Sequence, residues 1–267
     1  MSNDAPIGVF DSGIGGLTVV RELIHQLPNE SIIYFGDTAR VPYGPKSPDT
    51  VLRYSREIVS YLKDEGVKAL VVACNTATAH ALPALREEFE FPIIGVIGPG
   101  ARAAVAATKR NRVGVIGTAG TIRSGAYEKA IKKLLPDVQV VTQACALFVP
   151  LIEEGWVDTE PTRAIARNYL SPMVSAEVDT LVLGCTHYPL MKPVIGNVVG
   201  RDVRLIDSAE ETAREVGERL EEKGIANQSP NGAQYRFIAS DAPDTFLALG
   251  QRFLGSAIDR VETRTLG

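Results

Sequence analysis

Short apolar runs alternate with stretches of helical character along most of this chain, and the whole alternation occurs twice. The first series is "IGVF" (7–10), "IIYF" (32–35), "LVVA" (70–73) and "IIGV" (93–96). After a connection at 98–111 the second begins, with "VGVI" (113–116), "VQVV" (138–141), "LVLG" (181–184) and "VRLI" (203–206). Apolar runs with helical crossovers between them are the pattern of βαβ units on a parallel sheet, so the expected class is α/β. Residue 7 corresponds to 113 and 32 to 138, the same spacing of 106 residues, while 74 and 185 stand 111 apart. One half reads as a copy of the other, and two pseudo-symmetric α/β domains with parallel sheets are expected.

Beyond residue 207 the rhythm changes. The stretch 209–224 has the pattern of a charged amphipathic helix, and two strand candidates, 235–239 and 257–262, flank a helical segment at 243–252. This tail is expected to return to the first half. The domains are then 1–98 with 207–267, discontinuous, and 99–206.

Composition removes several function classes. The chain has 267 residues, 45% hydrophobic and 22% charged, which suits a globular protein with more than one core. A net charge of −4 offers no long-range attraction to phosphate backbones or anionic membrane, so nucleic acid is not expected as the primary partner. No apolar run approaches the roughly 18 residues of a membrane span. The acidic start "MSNDAPIGVF" lacks the features of a secretion signal, and the expected location is the cytoplasm. The three cysteines, Cys74, Cys145 and Cys185, are far apart and without C-x-x-C spacing, so free thiols are expected.

Two of those cysteines occupy equivalent places. Cys74 follows "LVVA" and precedes Asn75 and Thr76; Cys185 follows "LVLG" and precedes Thr186 and His187. In parallel α/β sheets the ligand crevice lies outside the carboxyl ends of the strands, at helix N-termini that favour a thiolate over a thiol. A free thiol titrates near roughly 8.5, so a modest downward shift makes it a base at neutral pH. With the halves facing each other, one thiol removes a proton from a carbon and the other returns one on the opposite face. That geometry inverts a stereocentre. Cys145, in "TQACALFV", has no such setting and reads as structural.

Neighbouring groups suit a zwitterionic substrate carrying a carboxylate. Ser12, Asn75, Thr76, Thr118, Thr121 and Thr186 fall at turns where hydroxyls and amides join backbone N–H groups around an anion, and each also reads as a plain helix cap. Asp11 suits an ammonium group or a departing proton. His187, two residues from Cys185, suits tuning of that thiol. Glu153 follows an apolar run and either reaches the cleft or is simply solvated. The glycines of "DSGIGGLT" lack the third glycine of a dinucleotide loop, and no paired-cysteine spacing supports zinc, so neither cofactor nor metal is expected.

Four stretches, "GVFDSGIGGLTV" (8–19), "YFGDTARVPYG" (34–44), "ACNTATA" (73–79) and "LGCTHYPLM" (183–191), together resemble the cofactor-independent aspartate/glutamate racemases, in family order and over nearly the whole chain. The histidine after "GCT" resembles the glutamate-specific branch; aspartate enzymes tend to carry glutamate there. The resemblance implies interconversion of L- and D-glutamate without pyridoxal phosphate or metal, feeding peptidoglycan synthesis in the bacterial cytoplasm. It further implies a homodimer of two-domain subunits with the site between the domains. By the same resemblance Cys74 acts on the D-isomer and Cys185 on the L-isomer, with Asp11, Glu153 and His187 assisting. Asp11, Ser12, Tyr43, Gly44, Asn75, Thr76, Thr186 and His187 match substrate-binding positions, as do Thr118 and Thr121. Three other readings remain on the residues: an aspartate racemase, a non-catalytic amino-acid-binding module, and a thiol redox protein, which the missing C-x-x-C disfavours.

Overall fold

The computed structural model describes residues 3–229 and 232–266. In the first series β1 (Ile7–Asp11), β2 (Ile32–Gly36), β3 (Ala69–Val72) and β4 (Ile93–Gly95) are joined through α1 (Leu17–Gln26), α2 (Pro48–Asp64) and α3 (Asn75–Glu88). A fourth helix, α4 (Ile97–Ala107), leads into the second series: β5 (Arg112–Gly117), β6 (Gln139–Ala144), β7 (Thr180–Gly184) and β8 (Arg204–Asp207). Between these run α5 (Ala119–Ser124), α6 (Ala126–Leu134), α7 (Phe148–Glu153), α8 (Glu160–Ser175) and α9 (Lys192–Val199).

All strand pairs are parallel, and the two sheets share one strand order, β2-β1-β3-β4 and β6-β5-β7-β8. The duplication suggested by the spacing of the apolar runs is thus a duplication of topology. Because β1, β2, β3 and β7 are buried along their whole length, they read as unbroken apolar runs. Successive side chains still divide between the two faces. Leu70 and Val72 join the cluster with Ile58 and Leu62 of α2, whereas Ala69 and Val71 join Leu17 and Val20 of α1.

The chain after residue 207 adds α10 (Ser208–Glu222), β9 (Tyr235–Ala239), α11 (Pro243–Leu254) and β10 (Glu262–Thr263). Strand β9 pairs with β2 and β10 with β9, so among the described residues the first sheet has six strands and the second four. The strand expected over 257–262 is mostly absent. Ile258 turns into the core instead, against Gly250, and only Glu262 and Thr263 pair. Helix α10 buries Ala209, Ala213, Val216 and Leu220, a stripe at helical spacing, and lies against both α1 and α4. No helix among the described residues is long and apolar enough to cross a membrane.

In both sheets the strand order reverses direction at the central pair, β1/β3 and β5/β7. Loops leaving such a switch point diverge and open a crevice beyond the strand ends. Asp11 ends β1, Cys74 follows β3, Thr118 follows β5 and Cys185 follows β7.

Candidate active site

Cys74 is the N-cap of α3. Its sulfur accepts the Ala77 N–H at 3.4 Å and donates to the Ser12 hydroxyl at 3.7 Å. The expected lowering of this thiol does not occur. Burial pushes Cys74 up to about 12, the Asp11 charge adds to the rise, and the Ala77 N–H and Ser12 groups only partly oppose it. A helix end at 5% exposure is a weaker influence on the sulfur than its loss of water.

Cys185 is set differently. A short 3-10 turn, 188–191, separates it from α9, so no long helix begins at its sulfur. Its partner is a side chain: His187 Nδ1 lies 4.0 Å from Sγ, and His187 Nε2 lies 3.1 Å from Glu153 Oε1. Burial disfavours the imidazolium, yet hydrogen bonds to Cys185 and Glu153, with the Cys185 and Asp11 charges, raise His187 to about 10. A cation so placed stabilises negative charge developing on the Cys185 sulfur.

Asp11 links the halves. Its carboxylate accepts the Gly13 N–H at 2.9 Å and the Thr186 hydroxyl at 3.2 Å. Burial raises this carboxyl, opposed by His187 and by those same donors. On the other flank three hydroxyls converge: Thr76 lies 2.8 Å from Thr118 and 3.2 Å from Thr121, and the latter two are 3.0 Å apart. Thr118 also caps α5 by accepting the Thr121 N–H at 3.2 Å, so capping and clustering coexist.

One small cavity, with about 30 Å³ for water-sized molecules, gathers most of these groups. Cys74 and Cys185 both line it, with Ser12, Tyr43, Gly44, Asn75, Thr76, Thr118, Thr186 and His187. Asp11, Thr121 and Glu153 stand behind that wall and touch it through Thr186, through Thr76 and Thr118, and through His187. Asn75 is 3% exposed; its oxygen accepts from the Tyr127 hydroxyl at 2.7 Å, while its Nδ2 has no hydrogen-bond partner among the described residues. A buried amide donor left free beside two thiols suits a carboxylate oxygen.

Sequence reasoning missed four kinds of support. Val41, Pro42 and Val149 also line the cavity. Tyr43 is held by a buried carboxylate, Asp37, which accepts its hydroxyl, the Ser240 hydroxyl at 2.9 Å and the Arg40 Nε at 2.8 Å. Tyr127 sits outside any quoted motif. The glycines of the first loop serve contact rather than a nucleotide: a Cβ on Gly15 would stand 2.4 Å from His187 Nδ1 and from Thr186 Oγ1. Gly44 likewise presses on Thr118, where a Cβ would meet Thr118 Cβ at 2.8 Å. For Gly15 the signal was visible only as glycine at a turn, whereas Gly44 already matches a substrate-binding position by the resemblance. Among the described residues, no group of three or more His, Cys, Asp or Glu side chains is arranged to hold a metal ion.

The Asp/Glu/hydantoin racemase family model matches residues 7–216. The chain is 58% identical over 255 residues to the glutamate racemase of Geobacter metallireducens, covering 96% of this chain and 94% of that one. Among solved structures it is similar to glutamate racemase isoform RacE1 of Bacillus anthracis, with a TM-score of 0.94, 44% identity, and 99% and 98% of the two chains covered. It is also similar to the Francisella tularensis glutamate racemase in complex with D-glutamate, with a TM-score of 0.92, 40% identity and 98% of both chains covered.

Proposed function

The chain belongs to the Asp/Glu/hydantoin racemase family, and from that premise we propose that it interconverts L- and D-glutamate with Cys74 and Cys185 as its two acid/base groups. The observation that carries the reading is that both thiols, at equivalent strand ends of two sheets with one topology, line a single cavity. A carbon held there meets one sulfur from each half. Abstraction on one side and protonation on the other exchange the substituents' hand.

The two environments favour a direction for each resting partner. A thiol whose proton is retained up to about 12 is suited to wait as donor, which supports Cys74 in the protonated role when the L-isomer reacts. The imidazolium beside Cys185 supports that sulfur as the base for the L-isomer. After one turnover the roles are exchanged, and the D-isomer is the matching substrate. Asp11, raised by burial, shares a hydrogen bond with Thr186 next to Cys185, which supports an assisting role rather than direct attack on Cα.

Substrate binding in this reading uses the free Nδ2 of Asn75 and the Thr76 and Thr118 hydroxyls for carboxylates, with Thr121 behind them as their hydrogen-bond partner and Ser12, Tyr43, Gly44, Thr186 and His187 completing the wall. Donors already gathered at short range cost little to order when the anion arrives. The reading extends to two domains, 1–98 with 207–267 and 99–206, to a homodimer, and to supply of D-glutamate for peptidoglycan in the cytoplasm. Light scattering tests the dimer.

The central test is isotopic. In deuterated buffer the purified, reduced protein should place deuterium at Cα of glutamate while optical rotation decays, and should act far more slowly on aspartate. Glutamate that binds without either change would leave only a binding module.

A further inference from the structure

The hydroxyls on one flank of the thiol cavity come from both halves, Thr76 from α3 and Thr118 and Thr121 from the turn into α5. Their spacing depends on how α5 sits on α3. Helix α5 is six residues long and stops at Gly125, whose φ is +64°. So short a helix has little stability of its own, and its placement is set by what it rests on.

Two contacts fix its first turn. Gly120 is wedged, since a Cβ there would stand 2.8 Å from the Gly44 carbonyl oxygen and 3.0 Å from Thr76 Cγ2. The Gly120 carbonyl in turn meets His80, whose Nε2 lies 3.2 Å away. His80 follows Thr76 by four residues in α3, so both project from one side of that helix toward α5. A carbonyl oxygen only accepts, so Nε2 carries the proton. Burial lowers the affinity of this imidazole for a second proton, the Gly120 bond opposes that in part, and the Arg123 charge adds to the lowering. The ring is therefore neutral at neutral pH, and its single N–H is committed to Gly120.

Substrate affects the two ties differently. The Thr76 hydroxyl has one proton, so a carboxylate that receives it takes it from Thr118 or Thr121. Thr76 lines the cavity and His80 does not. The bond to Gly120 is thus a tie between α3 and α5 that persists when the anion is bound. By the 111-residue spacing of Cys74 and Cys185, the position answering to 80 is Met191, a buried residue with no proton to give. The clasp belongs to one flank.

We propose that His80 is a positioning residue of this site, holding the Gly120 carbonyl so that α5 keeps the Thr118 hydroxyl in register with Thr76 while both receive a substrate carboxylate. The proposal rests on the glutamate reading above. His80 touches neither thiol, so its effect falls on binding and is the same for both isomers.

The test is steady-state kinetics of three variants on L- and D-glutamate. His80→Leu keeps most of the ring's volume and lacks the proton; KM should rise about five- to ten-fold for both isomers, with kcat changed by less than about two-fold. His80→Gln brings an amide N–H close to where Nε2 stands and should return KM to within about two-fold of wild type. His80→Asn carries the same amide on a shorter stem, falls short of Gly120 and should match His80→Leu, replacing it in the comparison should His80→Leu not fold. Combined with Thr118→Val, which removes the hydroxyl that the clasp aligns, His80→Leu should add less than about two-fold to KM. A wild-type KM in His80→Leu, a His80→Gln no better than His80→Asn, or full multiplication of the effects with Thr118→Val overturns the positioning role and leaves racemisation by two thiols intact. A wild-type chain that does not racemise glutamate overturns both.

Discussion

The Tyr127 hydroxyl donates to Asn75 Oδ1 at 2.7 Å, joining a helix of the second sheet's layer to the residue directly after Cys74. Tyr127 is 2% exposed and burial pushes its hydroxyl up, so it remains a donor at every working pH. A donor on Oδ1 settles which way the amide points and leaves Nδ2 as the free group. Tyr127→Phe removes that instruction and unpairs a second buried atom. KM for glutamate should rise by about ten-fold, the equivalent of about 1.4 kcal/mol for one lost buried bond, with a smaller change in kcat, in steady-state assays on both isomers.

The three cysteines separate by setting. Cys74→Ala and Cys185→Ala each remove one of two acid/base groups and should lower racemisation by about 10² to 10⁴. Cys145 is as buried, but its sulfur donates to the Gln143 carbonyl at 3.8 Å within the cluster around Phe148 and Tyr188 and does not line the thiol cavity. Cys145→Ala should keep its rate and lose about 1 kcal/mol of stability. Equal losses of activity in all three would point to a general packing effect and against a two-thiol site.

How much of this was legible beforehand depended on whether the cause was local. The class, the duplication and the thiol turns came from apolar runs and their spacing, because parallel strands buried on both faces write themselves directly into sequence. Position 258 misled because an apolar residue beside charged ones reads as strand edge, while in the fold Ile258 fills the gap over Gly250. The thiol chemistry of Cys74 misled for a different reason: a helix end is a local feature, but its loss of solvent is set by loops from both halves. Tyr127 and Ser240 were invisible as site support because their partners lie 52 and 203 residues away in sequence and meet only through the tertiary fold.

Gly15 provides a probe of imidazole placement. A methyl group there would stand 2.4 Å from His187 Nδ1 and Thr186 Oγ1, and neither can yield without moving the Cys185 turn. Gly15→Ala should retain its circular dichroism spectrum and lose about 10²-fold in racemisation, the scale of a displacement near 1 Å at a reacting group. An unchanged rate would mean that the His187 ring position is unimportant.

Stability should fall as pH rises above neutral. His187 holds its proton to about 10 in the fold, above its ordinary 6.5, so its contribution is complete below about 6.5 and is lost as pH climbs through about 10. Cys74 has the same sign at a higher window, since the folded chain keeps that proton to about 12 while an unfolded thiol releases it near 9. Melting temperature should therefore decline from pH 7 to pH 10, and His187→Asn should flatten that decline while leaving the part above pH 9. A decline of the same slope in the variant would assign it to other groups.

Far from the thiols, Lys68 and Glu30 form an ion pair at 2.5 Å with side chains 0% and 5% exposed. Glu30 also accepts the Asn227 N–H at 2.8 Å and Lys68 donates to the Asn3 carbonyl at 2.5 Å, so the pair ties the segment before β1 and the connection between α10 and β9 to the first sheet. Lys68→Ala strands a buried carboxylate and should cost ~3–5 kcal/mol in urea unfolding, since an uncompensated charge is worse than no charge. Lys68→Met combined with Glu30→Leu removes both charges and keeps most of the volume. The double variant should be more stable than Lys68→Ala, short of wild type by the lost Asn227 tie. Should Lys68→Ala and the double variant unfold at the same urea concentration, the cost lies in packing around the lysine stem and not in the orphaned charge.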